Sequence, residues 1–416
     1  MTTPPGHRTT ALARLRAICG ADAARQGTPA DAVFRHRPSW VVTPQRTDQV
    51  AELLRYAAEA HLSCVVRGTG HRLSWAPAPD AVDLVVDTSG LAGVISHDVP
   101  GGTAVVGAGS RLDRLGQSFA GSGQRLALDP PGPATLGGAI ATGVEGPLRL
   151  RYGGTAALVR ELVVVRGDGT VRRTGGDGFS EVVAGGFGAL GVITEATVAL
   201  HPVPAVRRWV VRPVASPAEV RLLAGVISRY REVAAVEVHN PYGPDEGPDL
   251  IGVLLEGEAA AIAERLPRLC AELADEDGGI VVYPRPPPWW RRYPFGPDDI
   301  ALRITTPPSQ LYSAGYIVRD AAGETPIRTR WSPGVAVMYA GLPGDTEPAR
   351  VARLLEGVRQ TLIARDGTCV VLDAPPAVRK AVDMWGPLPD PESWHHVKRE
   401  YDPAGVLAPG RFPGGG

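Results

Sequence analysis

Short blocks of apolar residues run through the first half of the chain, and their period changes from block to block. Val50, Leu53, Leu54 and Ala57 recur every three or four residues, which is the period of an amphipathic helix. An Asp168–Gly169 pair between two apolar runs predicts a hairpin turn. The same reasoning predicts helices over 46–60 and 110–123 and strands over 63–67, 82–89 and 103–109. This alternation indicates an α+β fold.

A proline-punctuated stretch, residues 200–208, separates this half from a second one. Beyond it the order strand, helix, strand occurs twice, with helices predicted over 259–274 and 345–367. That order is typical of a compact two-layer α+β domain. Residues 284–297, with the sequence PRPPPWWRRYPFGP, interrupt the pattern and predict a surface loop that could line a pocket mouth.

Composition narrows the class of protein. The chain has 416 residues, which favours two or three domains, and its net charge of −1 argues against a nucleic-acid partner. Four widely spaced cysteines form no CxxC pair, so we expect reduced thiols, with neither a disulfide framework nor a zinc site. Since no apolar run has the length of a membrane helix and no signal-peptide core forms, we expect a cytoplasmic protein without a membrane partner.

Three glycine-rich segments, 67–71, 130–146 and 185–195, follow strands or apolar runs in the first half. None matches a Walker A loop or a dinucleotide fingerprint. Tight turns would explain any one of them. Backbone N–H groups in such loops also bind phosphate oxygens without side-chain charge, and a cofactor with a pyrophosphate and two ring systems would need several loops. The repetition favours a ligand cradle.

The order of these segments resembles the FAD-binding domain of the vanillyl-alcohol oxidase/p-cresol methylhydroxylase superfamily. The segments that carry the resemblance are RGTGH, PPGPATLGGAIATGVEG, the strand ELVVVRGDGTVRRT, GGFGALGVITE and the closing DPAGVLAPGRF. Within the superfamily the chain is most similar to the E-type subunit of glycolate oxidase, over residues 33–412. The resemblance implies an FAD-binding domain of the p-cresol methylhydroxylase type followed by an α+β substrate, or cap, domain.

The resemblance also implies where the domains and the cofactor residues lie. It gives an N-terminal helical segment at 1–32, the FAD-binding domain at 33–203, the cap domain at 204–395, and a C-terminal segment at 396–416 that returns to the FAD-binding domain. The implied FAD contacts are Arg67, Gly68, Thr69, Gly70, His71 and Arg72 around the pyrophosphate, Pro131, Gly132, Ala134, Thr135, Gly137, Gly138, Ala141 and Thr142 in the second cradle, Gly191, Val192 and Ile193 at the adenine end, and Arg411 near the flavin.

His71 departs from the closest relatives, in which Thr followed by Lys usually stands where this chain has His71–Arg72. In branches of the superfamily with covalent flavin, a histidine at this position bonds to the flavin C8 methyl group. The resemblance therefore implies FAD that is either covalently attached through His71 or bound without a covalent bond, with His71 hydrogen-bonded to phosphate or a loop carbonyl.

Candidates for substrate chemistry lie on predicted strands of the second half. His239 or Tyr339 could take a proton during hydride transfer, and Arg330 could orient a carboxylate. A structural role on a half-buried strand is the alternative for each of them. His396 and Glu400 share a helix face in SWHHVKREYD, but two ligands do not make a metal site, so we predict none.

Together these observations predict an FAD-dependent oxidase or dehydrogenase. It would oxidise a small organic molecule, such as an alcohol, a 2-hydroxy acid or a secondary-metabolite intermediate, by hydride transfer to flavin N5. Oxygen or a redox partner protein would reoxidise the flavin. Two alternatives stay open: an FAD-containing cyclase or isomerase of secondary metabolism, and a non-catalytic subunit of a glycolate-oxidase-like complex.

Overall fold

The computed structural model describes residues 5–175, 183–242, 246–274, 279–387 and 390–413. The chain divides into two compact units, each of which mixes helices with sheets. The first unit comprises Met1–Glu145, Gly154–Pro202 and Leu388–Gly416, and the second comprises Gly146–Gly153 and Val203–Pro387. The predicted α+β class is confirmed.

Helices and strands are numbered in chain order. The helices are α1 (Pro5–Cys19), α2 (Thr47–Glu59), α3 (Leu112–Ala120), α4 (Leu136–Thr142), α5 (Arg149–Tyr152), α6 (Thr155–Leu158), α7 (Pro217–Ile227), α8 (Ala259–Leu273), α9 (Leu311–Ala322), α10 (Pro348–Ile363), α11 (Pro376–Ala381) and α12 (Pro391–Tyr401). The strands are β1 (Ala24–Gln26), β2 (Trp40–Val42), β3 (Cys64–Arg67), β4 (Leu84–Asp87), β5 (Val94–Asp98), β6 (Thr103–Gly107), β7 (Gln124–Arg125), β8 (Val159–Val165), β9 (Val171–Thr174), β10 (Val192–Ala199), β11 (His201–Pro202), β12 (Val206–Pro213), β13 (Val233–Asn240), β14 (Leu250–Gly257), β15 (Val281–Tyr283), β16 (Ile300–Thr305), β17 (Arg328–Ser332), β18 (Val337–Leu342) and β19 (Thr368–Asp373).

The described part of the first unit contains two larger sheets and a two-stranded one made of β7 and β11. One has the order β1-β2-β4-β3, in which β2, β4 and β3 are parallel, and α2 packs against it with Val50, Leu53 and Leu54 in the core. The other is antiparallel, with the order β5-β6-β10-β8-β9, and includes the hairpin predicted at Asp168–Gly169. The ends of strands from both sheets carry the glycine-rich loops.

The C-terminal segment is part of the first unit. Backbone hydrogen bonds join Cys64 to Val406 and to Ala408, which places the segment alongside the edge strand β3. At Gly410, where φ is +78°, a Cβ atom would come within 2.5 Å of an Asp80 carboxylate oxygen. Glycine is therefore the residue that fits this return path.

The second unit contains a single large antiparallel sheet in the order β15-β12-β14-β13-β17-β18-β16-β19. Alternate residues such as Val236, Val253 and Met338 form its core together with apolar residues of helices α7 to α10. Because side chains alternate along a strand, the residues between them lie on the opposite face. That face carries His239 and Arg330.

The two units differ from the predicted domain ranges in two places. Residues 146–153 group with the second unit, because Arg151 donates to the Glu256 carbonyl at 2.8 Å and the Tyr152 hydroxyl donates to the Glu256 carboxylate. Residues 390–395 group with the first unit, because α12 begins at Pro391 and Trp394 packs against Phe412. The ranges as independently folding domains stay a prediction.

Two further predictions concern cysteines and membranes. All four cysteines are free, and three of them are buried, as expected for reduced thiols. Burial raises the pKa of the Cys19 and Cys369 thiols to about 11, so they are protonated at neutral pH. Within the described ranges, no helix combines the length with the apolar character that crossing a membrane requires.

Candidate functional site

A cavity in the first unit opens between the glycine-rich loops. The space between these loops amounts to about 700 Å³ and is partly open to solvent. Its walls come from the loop after β3, from α4 with the residues before it, from the loop before β10, and from the C-terminal segment. The lining residues are Val66, Gly68, Thr69, Gly70, His71, Arg72, Leu73, Thr88, Ala134, Thr135, Gly137, Gly138, Ala141, Thr142, Phe187, Gly188, Gly191, Ile193 and Arg411.

Most of the predicted cofactor residues line this cavity. Four do not: Arg67, Pro131, Gly132 and Val192. Val192 is buried in β10 opposite Val165. The Pro131 carbonyl accepts a hydrogen bond from Arg72. The cavity also includes residues that the sequence analysis did not select, namely Val66, Leu73, Thr88, Phe187 and Gly188. Phe187 and Gly188 lie in the glycine-rich segment 185–195, and their position in that segment is the sequence signal that could have indicated them.

Arg67 does not line the cavity, and its guanidinium is paired with two carboxylates. Its guanidinium forms ion pairs with Asp87 at 2.8 Å and with Asp31 at 3.0 Å. Asp31 is buried and also accepts two hydrogen bonds from Arg25, which above all hold the pKa of its carboxyl well below the usual range. This network joins the N-terminal segment to β3 and β4. It could not be predicted from the sequence, because the partners are far apart along the chain.

Arg72 joins two of the loops. Its guanidinium donates to the Pro131 carbonyl at 2.5 Å and to the Pro133 carbonyl at 3.1 Å, and it lies over the Trp75 ring. Its Nε atom is buried without a hydrogen-bond partner among the described residues. Arg72 therefore holds the loop after β3 against the loop before α4, and both loops line the cavity.

His71 lines the same cavity and is exposed. In the part of the chain that the structure describes, it makes no hydrogen bond. Arg411, by contrast, is buried and donates to the Leu73 and Pro77 carbonyls, which fixes the C-terminal segment at the cavity wall. The imidazole of His71 is thus available to a ligand, whereas the Arg411 side chain also serves to hold the fold.

The predicted substrate residues of the second unit form one row across the sheet. His239 is the register partner of Arg330, Arg330 is the partner of Tyr339, and Tyr339 is the partner of Arg303. Directly opposed residues of antiparallel strands share a face, so these four side chains form a polar row on the face away from the helices. The register thus brings together three residues that were selected independently.

An aromatic loop, residues 284–297, covers much of the polar row. The Trp289 ring stacks on His239 with centroids 5.2 Å apart, and the Arg330 guanidinium carbon lies 5.1 Å from the Trp289 ring centre. Tyr293 packs edge-on against Tyr339 at 5.0 Å. The loop predicted to line a pocket mouth therefore lies over the candidate substrate residues of its own unit.

The geometry limits what His239 can do. Arg330 donates to its Nδ1 atom at 2.9 Å, and since arginine only donates, the neutral ring carries its proton on Nε2. Burial above all, with the nearby Arg330 charge, lowers the pKa of His239 to about 4. At neutral pH His239 is therefore a hydrogen-bond donor through Nε2, and this arrangement does not favour the predicted role of proton acceptor.

Arg330 is a buried cation with neutral partners. It donates to His239 and to the Trp289 carbonyl, and its Nε atom is buried without a partner among the described residues. Burial lowers its pKa to about 10, so it keeps its charge at neutral pH, and Glu237 acts in the opposite direction. No group of His, Cys, Asp or Glu side chains in the described ranges is arranged to hold a metal ion.

Comparison with known proteins assigns a large part of the first unit to a family. Residues 38–175 match the model of a family described as an FAD binding domain. Two walls of the cavity, the loop after β3 and α4 with the residues before it, lie in that range. The first unit contains an FAD-binding domain. The resemblance inferred from the glycine segments is confirmed at this level, and FAD is the cofactor of this domain.

Curated relatives match about two fifths of the chain. A D-lactate dehydrogenase from Archaeoglobus fulgidus is 32% identical over 174 residues, which is 39% of this chain and 38% of that protein. The mitochondrial D-2-hydroxyglutarate dehydrogenase of Bos taurus is 32% identical over 39% of this chain and 32% of that protein, and the glycolate oxidase subunit GlcD of Bacillus subtilis is 29% identical over 42% and 39%. The chain thus spans about two fifths of each relative or less.

A solved structure extends the likeness to the fold of both units. The alkyldihydroxyacetonephosphate synthase has a TM-score of 0.68 and covers 98% of this chain and 86% of its own. At 15% sequence identity, this likeness concerns the fold alone. The predicted two-part architecture, an FAD-binding domain of the p-cresol methylhydroxylase type with an α+β partner, is therefore confirmed.

The residues of the cavity fit the cofactor. Its walls consist of backbone, small and apolar side chains and hydroxyl groups, with Arg72, Arg411 and His71 as the basic groups. No Asp or Glu is among the lining residues, so nothing in the described walls repels a pyrophosphate. Gly68 and Gly191 bring the walls together, since a Cβ atom on either would come within 2.4 Å of a neighbouring side chain.

Arg72 provides a test of how the FAD-binding domain positions its loops. We expect Arg72→Lys to bind FAD about tenfold more weakly, because a single ammonium group cannot replace a fork that reaches two carbonyls and each hydrogen bond contributes about 1 kcal/mol. Titration of the apoprotein with FAD, followed by flavin fluorescence, measures the effect. Arg55→Lys, on the exposed side of α2, is the matched control, and equal affinities of Arg72→Lys and wild type would contradict the role.

Proposed function

We propose that the chain is an FAD-dependent oxidoreductase that oxidises a small 2-hydroxy acid. Three relatives that match part of the chain are named for lactate, 2-hydroxyglutarate and glycolate, which are all 2-hydroxy acids. A bound FAD supplies the hydride acceptor for such an oxidation. The chain's own contribution is to bind the cofactor, to recognise the acid and to orient its hydroxyl-bearing carbon.

Arg330 carries the proposal for substrate recognition. It is 6% exposed and has only neutral hydrogen-bond partners among the described residues, whereas a buried guanidinium is ordinarily satisfied by a carboxylate. We propose that the carboxylate of the substrate supplies this missing partner. His239, with its proton on Nε2, would donate a hydrogen bond to the substrate, and Tyr339 on the next strand would contact its remainder.

The remaining parts of the function are proposals of the same kind. The reoxidant would be oxygen or a redox partner protein, and the cytoplasm would be the site of action. Covalent attachment of FAD through His71 is supported by an exposed imidazole that makes no hydrogen bond among the described residues. It requires an imidazole nitrogen as the nucleophile.

Anaerobic mixing tests the proposed reaction. We expect glycolate, D-lactate or D-2-hydroxyglutarate to bleach the flavin, and propionate, which lacks the hydroxyl group, to leave it oxidised. Arg330→Gln should require an acid concentration about 30-fold higher, since a charge-assisted hydrogen bond contributes about 2 kcal/mol. Its flavin content should not change, because Arg330 lies in the second unit and outside the cavity.

The opposite result separates the alternatives. Flavin that dithionite bleaches but no 2-hydroxy acid or simple alcohol does would contradict the proposed oxidation. It would favour a cyclase or isomerase that keeps its flavin oxidised. Bleaching that appears only after a second flavoprotein and an iron–sulfur protein are added would favour a subunit of a glycolate-oxidase-like complex.

A further inference from the structure

The aromatic loop and the polar row are held together through one charged side chain. Arg330 donates a hydrogen bond to the Trp289 carbonyl, while its guanidinium lies against the face of the Trp289 ring. The same guanidinium donates to His239, on which the Trp289 ring also stacks. The loop residue that covers the row therefore uses the hydrogen-bonding group that an anion would need.

The aromatic rings of the loop also pack against the sheet. The Trp289 and Trp290 rings pack over Gly252, where a Cβ atom would come within 2.6 Å of the Trp289 ring. Farther along, Tyr293 and Phe295 pack against Tyr339, at 5.0 and 6.5 Å between ring centres. Such contacts have no fixed donor and acceptor geometry, so they do not fix the position of the rings as a hydrogen bond does. The bond to Arg330 is directional.

Arg330 is not satisfied by the loop. The Nε donor is buried and has no partner among the described residues, and the two acceptors it has, a carbonyl and an imidazole, are neutral. A carboxylate offers a planar pair of charged oxygens that matches the guanidinium fork, whereas the carbonyl and the imidazole each offer one neutral acceptor atom. An anion that reaches the guanidinium therefore competes with the Trp289 carbonyl and has the stronger bond.

We propose that the aromatic loop, 284–297, is a lid latched by Arg330, and that a small carboxylate opens it by taking the hydrogen bond now made to the Trp289 carbonyl. The proposal rests on the proposed function for the identity of the ligand. It adds that binding of the carboxylate and release of the loop are one event. Tryptophan then leaves the polar row as the acid enters, so the size of the acid is limited by the space that Trp289 vacates.

Trypsin cleavage within the aromatic loop can measure how often the loop opens. Arg291 and Arg292 are exposed, and neither is followed by proline, so trypsin can cleave after each of them once the loop detaches. Cleavage of a transiently open segment follows the population of the open form when opening is fast. Mass spectrometry of the two fragments that end or begin at these residues then measures how much of the loop is open.

Propionate is the probe, because it has the carboxylate but cannot be oxidised at a hydroxyl-bearing carbon. We expect propionate to speed cleavage at Arg291 and Arg292 several-fold, and propionamide or sodium chloride at the same concentration to have no effect. In Arg330→Gln we expect cleavage about tenfold faster without any addition, and no further effect of propionate. Arg319→Gln, on α9 and ion-paired with Asp249, is the matched control and should behave as wild type.

Other results would overturn the latch. Propionate that slows cleavage, or leaves it unchanged in wild type while dialysis shows it bound, would mean that the loop does not open for an anion. Should Arg330→Gln lack a cooperative thermal transition, Arg330→Lys replaces it, with faster basal cleavage and a weaker propionate effect expected. Because propionate leaves the flavin oxidised, these outcomes are independent of the bleaching test. If a 2-hydroxy acid bleaches the flavin but propionate does not alter cleavage, the proposed function is retained and the latch is rejected.

Discussion

We expect the Ala141→Phe variant to fold normally and to lose FAD binding. Ala141 lies in α4, a helix rich in glycine and alanine, and its side chain lines the cavity of the FAD-binding domain. A phenyl ring there would occupy space that the cofactor needs, and relieving the overlap would cost about 3 kcal/mol or more. That cost corresponds to a loss of affinity of at least about 100-fold.

The measurement is the flavin content of the purified variant, followed by titration with added FAD. Ala120→Phe is the matched control, because Ala120 is the exposed last residue of α3 and does not line the cavity. Thermal unfolding of the two apoproteins should agree, which separates a blocked cavity from a damaged fold. An Ala141→Phe protein that retains one FAD per chain would show that the cofactor binds elsewhere.

We expect Lys398→Met to destabilise the first unit by about 3–5 kcal/mol, the usual cost of leaving a buried charge without its partner. Lys398 and Asp402 are 3% and 2% exposed, and their side chains are 2.7 Å apart. The Lys398 ammonium also donates to the carbonyls of Ala189 and Leu407, at 2.9 and 2.7 Å. The substitution would remove all three hydrogen bonds and leave the Asp402 carboxylate buried.

The ion pair between Lys398 and Asp402 connects a loop of the cavity with the C-terminal segment. Ala189 belongs to a glycine loop of the cavity, while Leu407 and Val406 belong to the C-terminal segment beside β3 and donate backbone hydrogen bonds to Asp402. We therefore expect weaker FAD binding in the same variant. Urea unfolding, followed by flavin release and by far-ultraviolet circular dichroism, measures both effects, with Arg399→Met on the exposed side of α12 as control. A change below 1 kcal/mol would contradict the assignment.

Helices and strands could be predicted from the sequence, because each depends on the spacing of apolar residues within one short segment. The helix predicted over 46–60 is Thr47–Glu59, and the hairpin at Asp168–Gly169 is present. The glycine segments also led to the cavity, since close approach of backbone leaves a trace in composition. Gly68 is an example, as a Cβ atom there would come within 2.3 Å of the Thr135 hydroxyl.

Partners that are distant in sequence could not be predicted. Arg67 follows the glycine motif and was expected at the pyrophosphate, but Asp31 and Asp87, which are 36 and 20 residues away, take its guanidinium. Likewise nothing in the sequence indicates that Arg330 lies against His239, 91 residues earlier, because only the register of β13 with β17 joins them. Long-range pairing in a sheet determines both arrangements.

The visible absorption spectrum of the purified protein, repeated on pellet and supernatant after acid precipitation, tests the central claim most directly. We predict the bands of a flavin with about one FAD per chain, because most residues that line the cavity lie in the matched range and the lining fits the cofactor. Yellow in the pellet, lost in His71→Ala, would show covalent attachment at His71, whereas yellow in the supernatant would show FAD bound without a covalent bond. A colourless protein that takes up no added FAD would contradict the account.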